Sequence, residues 1–214
     1  MKNKQLFNTF NKKKVIILGN TGFKGTWLTI FLLKLGANII GISDGIPTNP
    51  SFFKKSKVKD KITNIKLDIR NYLKLSQKLN KIKPDFIFHL AAQSLVFESI
   101  YDPRTTFETN ILGTANILEI VKRFNHSCKI VIVTSDKCYH NKEINRAYTE
   151  EDELGGKDPY SASKASAEII FTSYVNTFFK SNKKIKICTA RAGNVIGGGD
   201  WSPNRLVPDL VRSI

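Results

Sequence analysis

The chain has 214 residues, 41% of them hydrophobic, with only 13 Gly and 7 Pro, which is enough apolar material for one buried core and part of a further lobe. Its 34 basic against 18 acidic side chains leave a formal charge of +16, yet the lysines are scattered through 12–14, 54–61, 78–83 and 180–186, as on solvated faces, rather than gathered into an aromatic-interleaved nucleic-acid surface. No apolar run approaches the roughly 20 residues that cross a bilayer, residues 1–14 are polar, and the three cysteines are odd in number without C-x-x-C spacing. A cytoplasmic protein with no membrane partner, disulfide framework or metal site is therefore expected, its thiols buried or half-buried.

In chain order, Lys14-Val15-Ile16-Ile17-Leu18 predicts a buried parallel strand ended by Gly19. Next come Gly19-Asn20-Thr21-Gly22-Phe23-Lys24-Gly25 and a helical pattern over 27–34. Strand, glycine turn and helix are what a phosphate-cradling loop needs, because glycines admit a pyrophosphate close to the backbone and the helix start offers free N–H groups. The spacing is Gly-x-x-Gly-x-x-Gly rather than Gly-x-Gly-x-x-Gly. Gly19, Thr21, Gly22, Phe23, Lys24 and Gly25 are the candidate contacts. A second strand over 38–42 delivers Asp44, an acidic side chain suited to ribose hydroxyls and hostile to a 2′-phosphate. No Arg or Lys stands next to it in sequence, which favours NAD over NADP. A third strand over 65–69 carries Asp68 and Ile69, with Asp68 a candidate adenine contact.

Residues 71–83 have helical periodicity and stop before Pro84, after which 85–90 form a fourth strand. It runs from Leu90 into Ala91, Ala92 and Gln93, small residues that let a flat cofactor pass close to the backbone. His89 reads as a packed core histidine. A long helix is expected over 105–124, with Asn110 tying backbone groups of neighbouring strands. The fifth strand, 129–134, brings Ser135, Asp136 and Lys137 to the ligand-binding edge of the sheet. Residues 140–158 read as a loop fit for a lid or a substrate contact, and 184–189 as a sixth strand. A helical segment begins near Leu206.

Asp158-Pro159 marks a helix start, so that Tyr160 and Lys164, four apart, share a face. A lysine ammonium near the phenol would favour the phenolate and draw its pKa from about 10 toward neutrality, making Tyr160 a base for a sugar or alcohol hydroxyl.

These motifs, together with Asp68-Ile69, His89-Leu90-Ala91-Ala92 and Arg191/Asn194, resemble the extended short-chain dehydrogenase/reductase family of nucleotide-sugar enzymes from about residue 13 to the last. Longer stretches are similar to its 4,6-dehydratase branch: Thr21 to Leu28, Pro47 to Ser51, Ala91 to Val96, Thr134 to Tyr139 and Ala190 to Trp201. The resemblance implies a Rossmann-like, doubly wound parallel sheet over 13–190, with 191–214 the start of a smaller nucleotide-sugar-binding lobe that continues in the relatives. It implies NAD as cofactor and CDP-glucose as substrate. Tyr160, Lys164 and Ser135 would serve oxidation at C4, with Asp136 as acid and Lys137 as base for the loss of water. Substrate contacts fall to Gln93, Ser135, Arg191, Asn194 and Arg205. Gly45 stands where relatives carry an acidic residue, leaving Asp44 for the ribose. The family also includes sugar epimerases and other dehydratases, and leaves a homo-oligomer open. From a different class, an inactive Rossmann-like RNA-binding module is the alternative, and the intact Tyr160/Lys164 pair argues against it.

Overall fold

The computed structural model describes residues 2–214. Strand β1 (Lys14–Leu18) is the spine of the sheet. Its side chains alternate between two cores: Val15 and Ile17 pack with Leu32, Ile39 and Phe86, while Ile16 and Leu18 pack with Ile42, Ile87 and Leu118. Burial on both faces explains a continuous apolar run where a half-exposed strand would alternate. Strands β2 (Asn38–Ser43) and β3 (Thr63–Lys66) lie to one side, and β4 (Phe86–His89), β5 (Cys128–Val133) and β6 (Ile185–Ala190) to the other. All pairs are parallel in the order β3-β2-β1-β4-β5-β6, so the winding reverses between β1 and β4 and a crevice opens at their carboxyl ends.

Helices α1 (Lys2–Phe10) and α2 (Phe23–Lys34) cover one face. The polar start of the chain gave no sign of α1, which is held by Phe10 against the rings of Phe86 and Phe88, 4.8 and 6.3 Å between centroids. Short α3 (Phe52–Lys55) and a 3₁₀ turn (Val58–Lys61) lead into β3. That strand stops at Lys66 rather than continuing to Ile69, because Leu67 N–H bonds to Ser43 O, where β2 itself ends. Asp68 therefore sits in a loop.

The second face is covered by α4 (Tyr72–Ile82), α7 (Gly113–Lys122) and α8 (Pro159–Tyr174). The long helix expected over 105–124 is present as α6 (Pro103–Phe107), a π turn (Glu108–Leu112) and α7 in unbroken succession, preceded by short α5 (Val96–Tyr101). Asp102 starts α6 by accepting the Thr105 N–H at 3.0 Å, one residue before Pro103, and the π turn widens the helix where Asn110 must reach sideways. Helix α8 is capped by Asp158, which accepts from Ser161 N, and ends in a second π turn (Val175–Phe179). Between Tyr139 and α8 the chain is irregular apart from a Tyr139–Leu154 bridge.

After β6, residues 191–205 fold back over the glycine loop, where Trp27 Nε1 donates to Gly198 O at 2.9 Å, and α9 (Leu206–Arg212) follows. Cys128 and Cys138 are buried as expected, whereas Cys188 is exposed on β6, at the edge of the sheet. Among the described residues no helix is long and apolar enough to cross a membrane, and no group of three metal-ligating side chains gathers.

Leu118 of α7 is fully buried against the sheet, so Leu118→Ala should cost about 2–5 kcal/mol, read as a lowered urea midpoint. The exposed Leu73 of α4 is the control, and Leu73→Ala should stay within about 0.5 kcal/mol of the parent.

Candidate active site

Gly19 follows β1 with φ +86°, in the left-handed region, and a Cβ there would stand 2.6 Å from Ala91 N. A Cβ on Gly25 would stand 2.1 Å from Gly19 O. The loop thus lies flat between the ends of β1 and β4. Buried Asn20, which sequence reasoning passed over, pins it sideways: its Nδ2 donates to Asn64 Oδ1 at 2.8 Å and its Oδ1 accepts from Ser43 Oγ at 2.9 Å. Thr21 Oγ1 donates to Gly45 O at 2.6 Å. No side chain caps α2, whose first N–H groups face the crevice beside Gly22 and Lys24.

Around this loop lies a cleft of about 940 Å³. It gathers Gly19, Thr21, Gly22, Phe23, Lys24 and Gly25 with Asp44, Asp68, Ile69, Leu90, Ala91, Ala92 and Gln93. Its far wall holds Ser135, Lys137, Tyr160, Lys164, Asn194 and Arg205. Asn110 fastens the two walls together. It accepts from Gln93 N at 2.9 Å and donates to Gln93 O at 2.9 Å and to Ser163 Oγ at 2.8 Å, tying a loop to α8 rather than two strands to each other.

Two candidates fall outside the cleft. Arg191 turns into a neighbouring cavity, where its Nη2 donates to Glu168 Oε2 at 3.0 Å and its guanidinium stacks 4.9 Å from the centre of the Tyr139 ring. Asp136 lines the same cavity at the boundary wall, its carboxylate 3.0 Å from Lys137 Nζ and accepting from Ser135 Oγ at 3.1 Å. Lys137 borders both spaces.

The charge pattern differs from the sequence expectation at two points. Tyr160 is pushed up, not down: burial dominates, the Ser135 hydroxyl and Arg205 pull it back, Asp136 pushes it further up and Lys137 lowers it. Lys164 Nζ stands 6.0 Å from the centre of the Tyr160 ring. Its own ammonium is pushed down to about 8, by burial first and then by the charge of Lys24. Lys24 is lowered likewise by burial and by Arg205. His89 is the core residue expected, pushed down to about 3 by burial and by Lys164, with Nε2 3.2 Å from Thr114 Oγ1.

The second difference is at the ribose end. Although no cation adjoins Asp44 in sequence, Arg70 shares its wall of the cleft and its guanidinium is raised in part by the Asp44 charge. Asp68, the first cause of that rise, takes Arg70 Nε at 2.9 Å and Nη2 at 2.6 Å, and Glu108 stands 3.6 Å from Nη1. Asp68 is thus engaged with Arg70, which two-residue spacing alone did not announce.

A doubly wound parallel sheet with a glycine-floored crevice at its switch point, walled by a Tyr/Lys helix, defines a Rossmann-type short-chain dehydrogenase/reductase. The family model described as GDP-mannose 4,6 dehydratase matches residues 16–212, and the chain belongs to that family of extended, nucleotide-sugar dehydratases. The chain is 41% identical over 210 residues to the CDP-glucose 4,6-dehydratase of Salmonella typhimurium, covering 96% of this chain and 58% of that protein. It is 30% identical to the dTDP-D-glucose 4,6-dehydratase of Dictyostelium discoideum, covering 94% of this chain and 48% of the relative. It therefore spans about half to three fifths of the length of these relatives. Among solved structures, the dTDP-glucose 4,6-dehydratase of Bacillus anthracis in complex with NAD superposes with TM-score 0.77 at 26% identity, over 94% of this chain and 61% of that one. The epimerase Mth375 of Methanothermobacter thermautotrophicus shares the fold, with TM-score 0.86 at 24% identity over 99% of this chain and 61% of that one.

Because Lys164 has a folded pKa near 8 against an ordinary 10.5, the unfolded chain binds more protons between those values. Stability of the ligand-free protein should therefore gain from this group as pH rises from about 8 toward 10.5, the penalty of the buried charge being full below that window. Denaturant midpoints measured across the window should lose this upward component in Lys164→Met.

Proposed function

We propose that this chain is the cofactor-binding and catalytic part of an NAD-dependent CDP-glucose 4,6-dehydratase, converting CDP-glucose to CDP-4-keto-6-deoxyglucose. The observation that carries the reading is the triplet Ser135-Asp136-Lys137 at the end of β5, beside Tyr160 and in a chain 41% identical to an enzyme of that name. An epimerase that only oxidises and reduces C4 has no use for an acid and a base beyond it. On the same reading, residues 191–214 begin the lobe that receives the nucleotide sugar.

The residues present fit a dinucleotide. A Cβ at Gly19 or Gly25 would meet backbone at 2.6 or 2.1 Å, so the loop carries no side chain there to block a ligand, and the uncapped start of α2 would offer N–H groups and a positive dipole end to a pyrophosphate. Asp44 would take the ribose hydroxyls, and Ile69, Leu90, Ala91 and Ala92 would flank the rings. When bound, NAD would supply a reversible hydride acceptor, so that the sugar is oxidised at C4 and later reduced at C6.

Tyr160 takes the proton of the C4 hydroxyl, while Ser135, which opposes the rise that burial gives the phenol's pKa, steadies the oxygen. The C4 ketone then acidifies the proton at C5. Asp136 and Lys137, side by side at 3.0 Å, act next. Lys137, as the neutral amine, removes the C5 proton, and Asp136, as the carboxylic acid, gives its proton to the departing C6 hydroxyl, which leaves an ammonium beside a carboxylate as water departs. Lys164, Lys24 and Arg205 supply the positive field for the ligands' phosphates and for the phenolate.

Three expected outcomes test this. NAD should bind more tightly than NADP in paired calorimetric titrations, since Asp68 and Glu108 hold Arg70; tighter NADP would show that Arg70 releases them for a 2′-phosphate. Tyr160→Phe should lose about 10²–10⁴ in rate with NAD affinity nearly unchanged. Asp136→Asn and Lys137→Ala, made in the full-length protein, should still develop NADH absorbance with CDP-glucose yet stall before water leaves. Lys137→Ala should suppress solvent-deuterium exchange at C5 more than Asp136→Asn does. The dehydratase reading is lost if the parent enzyme forms no 4-keto-6-deoxy sugar, and the acid/base assignment is lost if both variants keep full activity.

A further inference from the structure

Glu168 stands two turns beyond Tyr160 and one beyond Lys164 on α8, so all three face the sheet. It is 2% exposed, and a carboxylate so deep needs every lone pair answered. Three side chains answer it. Thr134 Oγ1, at the end of β5, donates to Oε1. Thr189 Oγ1, on β6, donates to Oε2 at 3.0 Å, and Arg191 Nη2, just past β6, donates to the same oxygen at 3.0 Å. Thr134 immediately precedes Ser135. The backbone stitches the same region, with Thr134 N–H donating to Ala190 O and Asp136 N–H to Ala192 O, both at 3.0 Å.

We infer that Glu168 is a positioning residue for the reaction proposed above: by holding Thr134 from α8, it fixes where the Ser135 hydroxyl stands against the Tyr160 phenol. Ser135 and Tyr160 are carried by different elements, and Glu168 is the side chain of α8 that bonds directly to the strand residue next to Ser135. Arg191 serves the same end. Its guanidinium neutralises the buried carboxylate and is braced by the Tyr139 ring and Glu150 O, which accounts for its absence from the cleft. The carboxylate of Glu168 touches no reacting atom and lines the neighbouring cavity instead.

This inference rests on Tyr160 and Ser135 working together, but its test does not require turnover. The Tyr160 phenol is faced by Ser135, Asp136 and Lys137 from the turn after β5, by Arg205 from the start of α9 and by Lys164 from its own helix, and Ser135, Arg205 and Lys137 lower its pKa against burial and Asp136, which raise it. Phenolate absorbance is titrated with pH, and the curve of the matching Tyr160→Phe background is subtracted to isolate this tyrosine. In Glu168→Gln and in the near-isosteric Thr134→Val the Tyr160 transition should move to higher pH, while Thr134→Ser, which keeps the hydroxyl, should match the parent. NAD affinity should hold in all three. If Glu168→Gln does not fold, Thr134→Val decides. A Tyr160 transition unmoved in the folded variants overturns the inference and leaves Glu168 as a structural anchor. Where CDP-glucose is the substrate, kcat in Thr134→Val should fall up to about 10²-fold with KM little changed, the size of loss that misplacing a reacting group produces. Failure of CDP-glucose to react at all would remove the dehydratase reading while the phenol titration still reported on Glu168.

Discussion

The cleft exists because the chain passes unusually close to itself where β1 and β4 part. A methyl group on Gly19 would press on Ala91 N, and one on Gly25 on Gly19 O, at separations no side chain tolerates. With nothing projecting there, the loop lies flat, the first amides of α2 open toward solvent, and the reversal of winding leaves room above them for a ligand. Asn20 converts this closeness into rigidity by bonding through its amide to Ser43, at the end of β2, and to Asn64, within β3. The floor of the site is therefore backbone, and its shape follows from the sheet.

Desolvation governs the charges above that floor. Lys24, Lys164 and Arg205 converge on one space, and each of the two lysines is lowered first by burial and then by a neighbouring cation. An anionic ligand would relieve that repulsion, which gives the cleft a physical reason to bind phosphates. These cations belong to none of the lysine runs that dominate the composition. The overall +16 and the functional positive charge are thus separate facts, since only the buried groups act through a low dielectric.

Helix α8 divides its buried face among three tasks spaced four residues apart: Tyr160 at the cleft, Lys164 beneath it and Glu168 against the strand ends. Asn110 completes the arrangement from the other side by bonding Ser163 and both backbone groups of Gln93. The π turn at Glu108–Leu112 is where the helix yields its regular geometry to make that reach.

Much of the site was legible in the sequence because it depends on local order. Apolar runs doubly buried in a parallel sheet, a glycine turn between strand and helix, and a Tyr and Lys four apart after Asp158-Pro159 each carry their signal within a few residues. Strand ends were set elsewhere, as at β3, which stops where its partner β2 stops. The sequence by itself determined which residues could form a sheet, a cradle and a helix with Tyr160 and Lys164 on one face. Tertiary structure alone decided that Arg70 sits in the wall beside Asp44, that Arg191 turns away to Glu168, that Phe10 finds Phe86, and that burial raises Tyr160 where an adjacent lysine was expected to lower it. The reason is distance along the chain: packing joins groups as far apart as Trp27 and Gly198, and burial depends on what the rest of the molecule places over a group, neither of which leaves a local pattern to read.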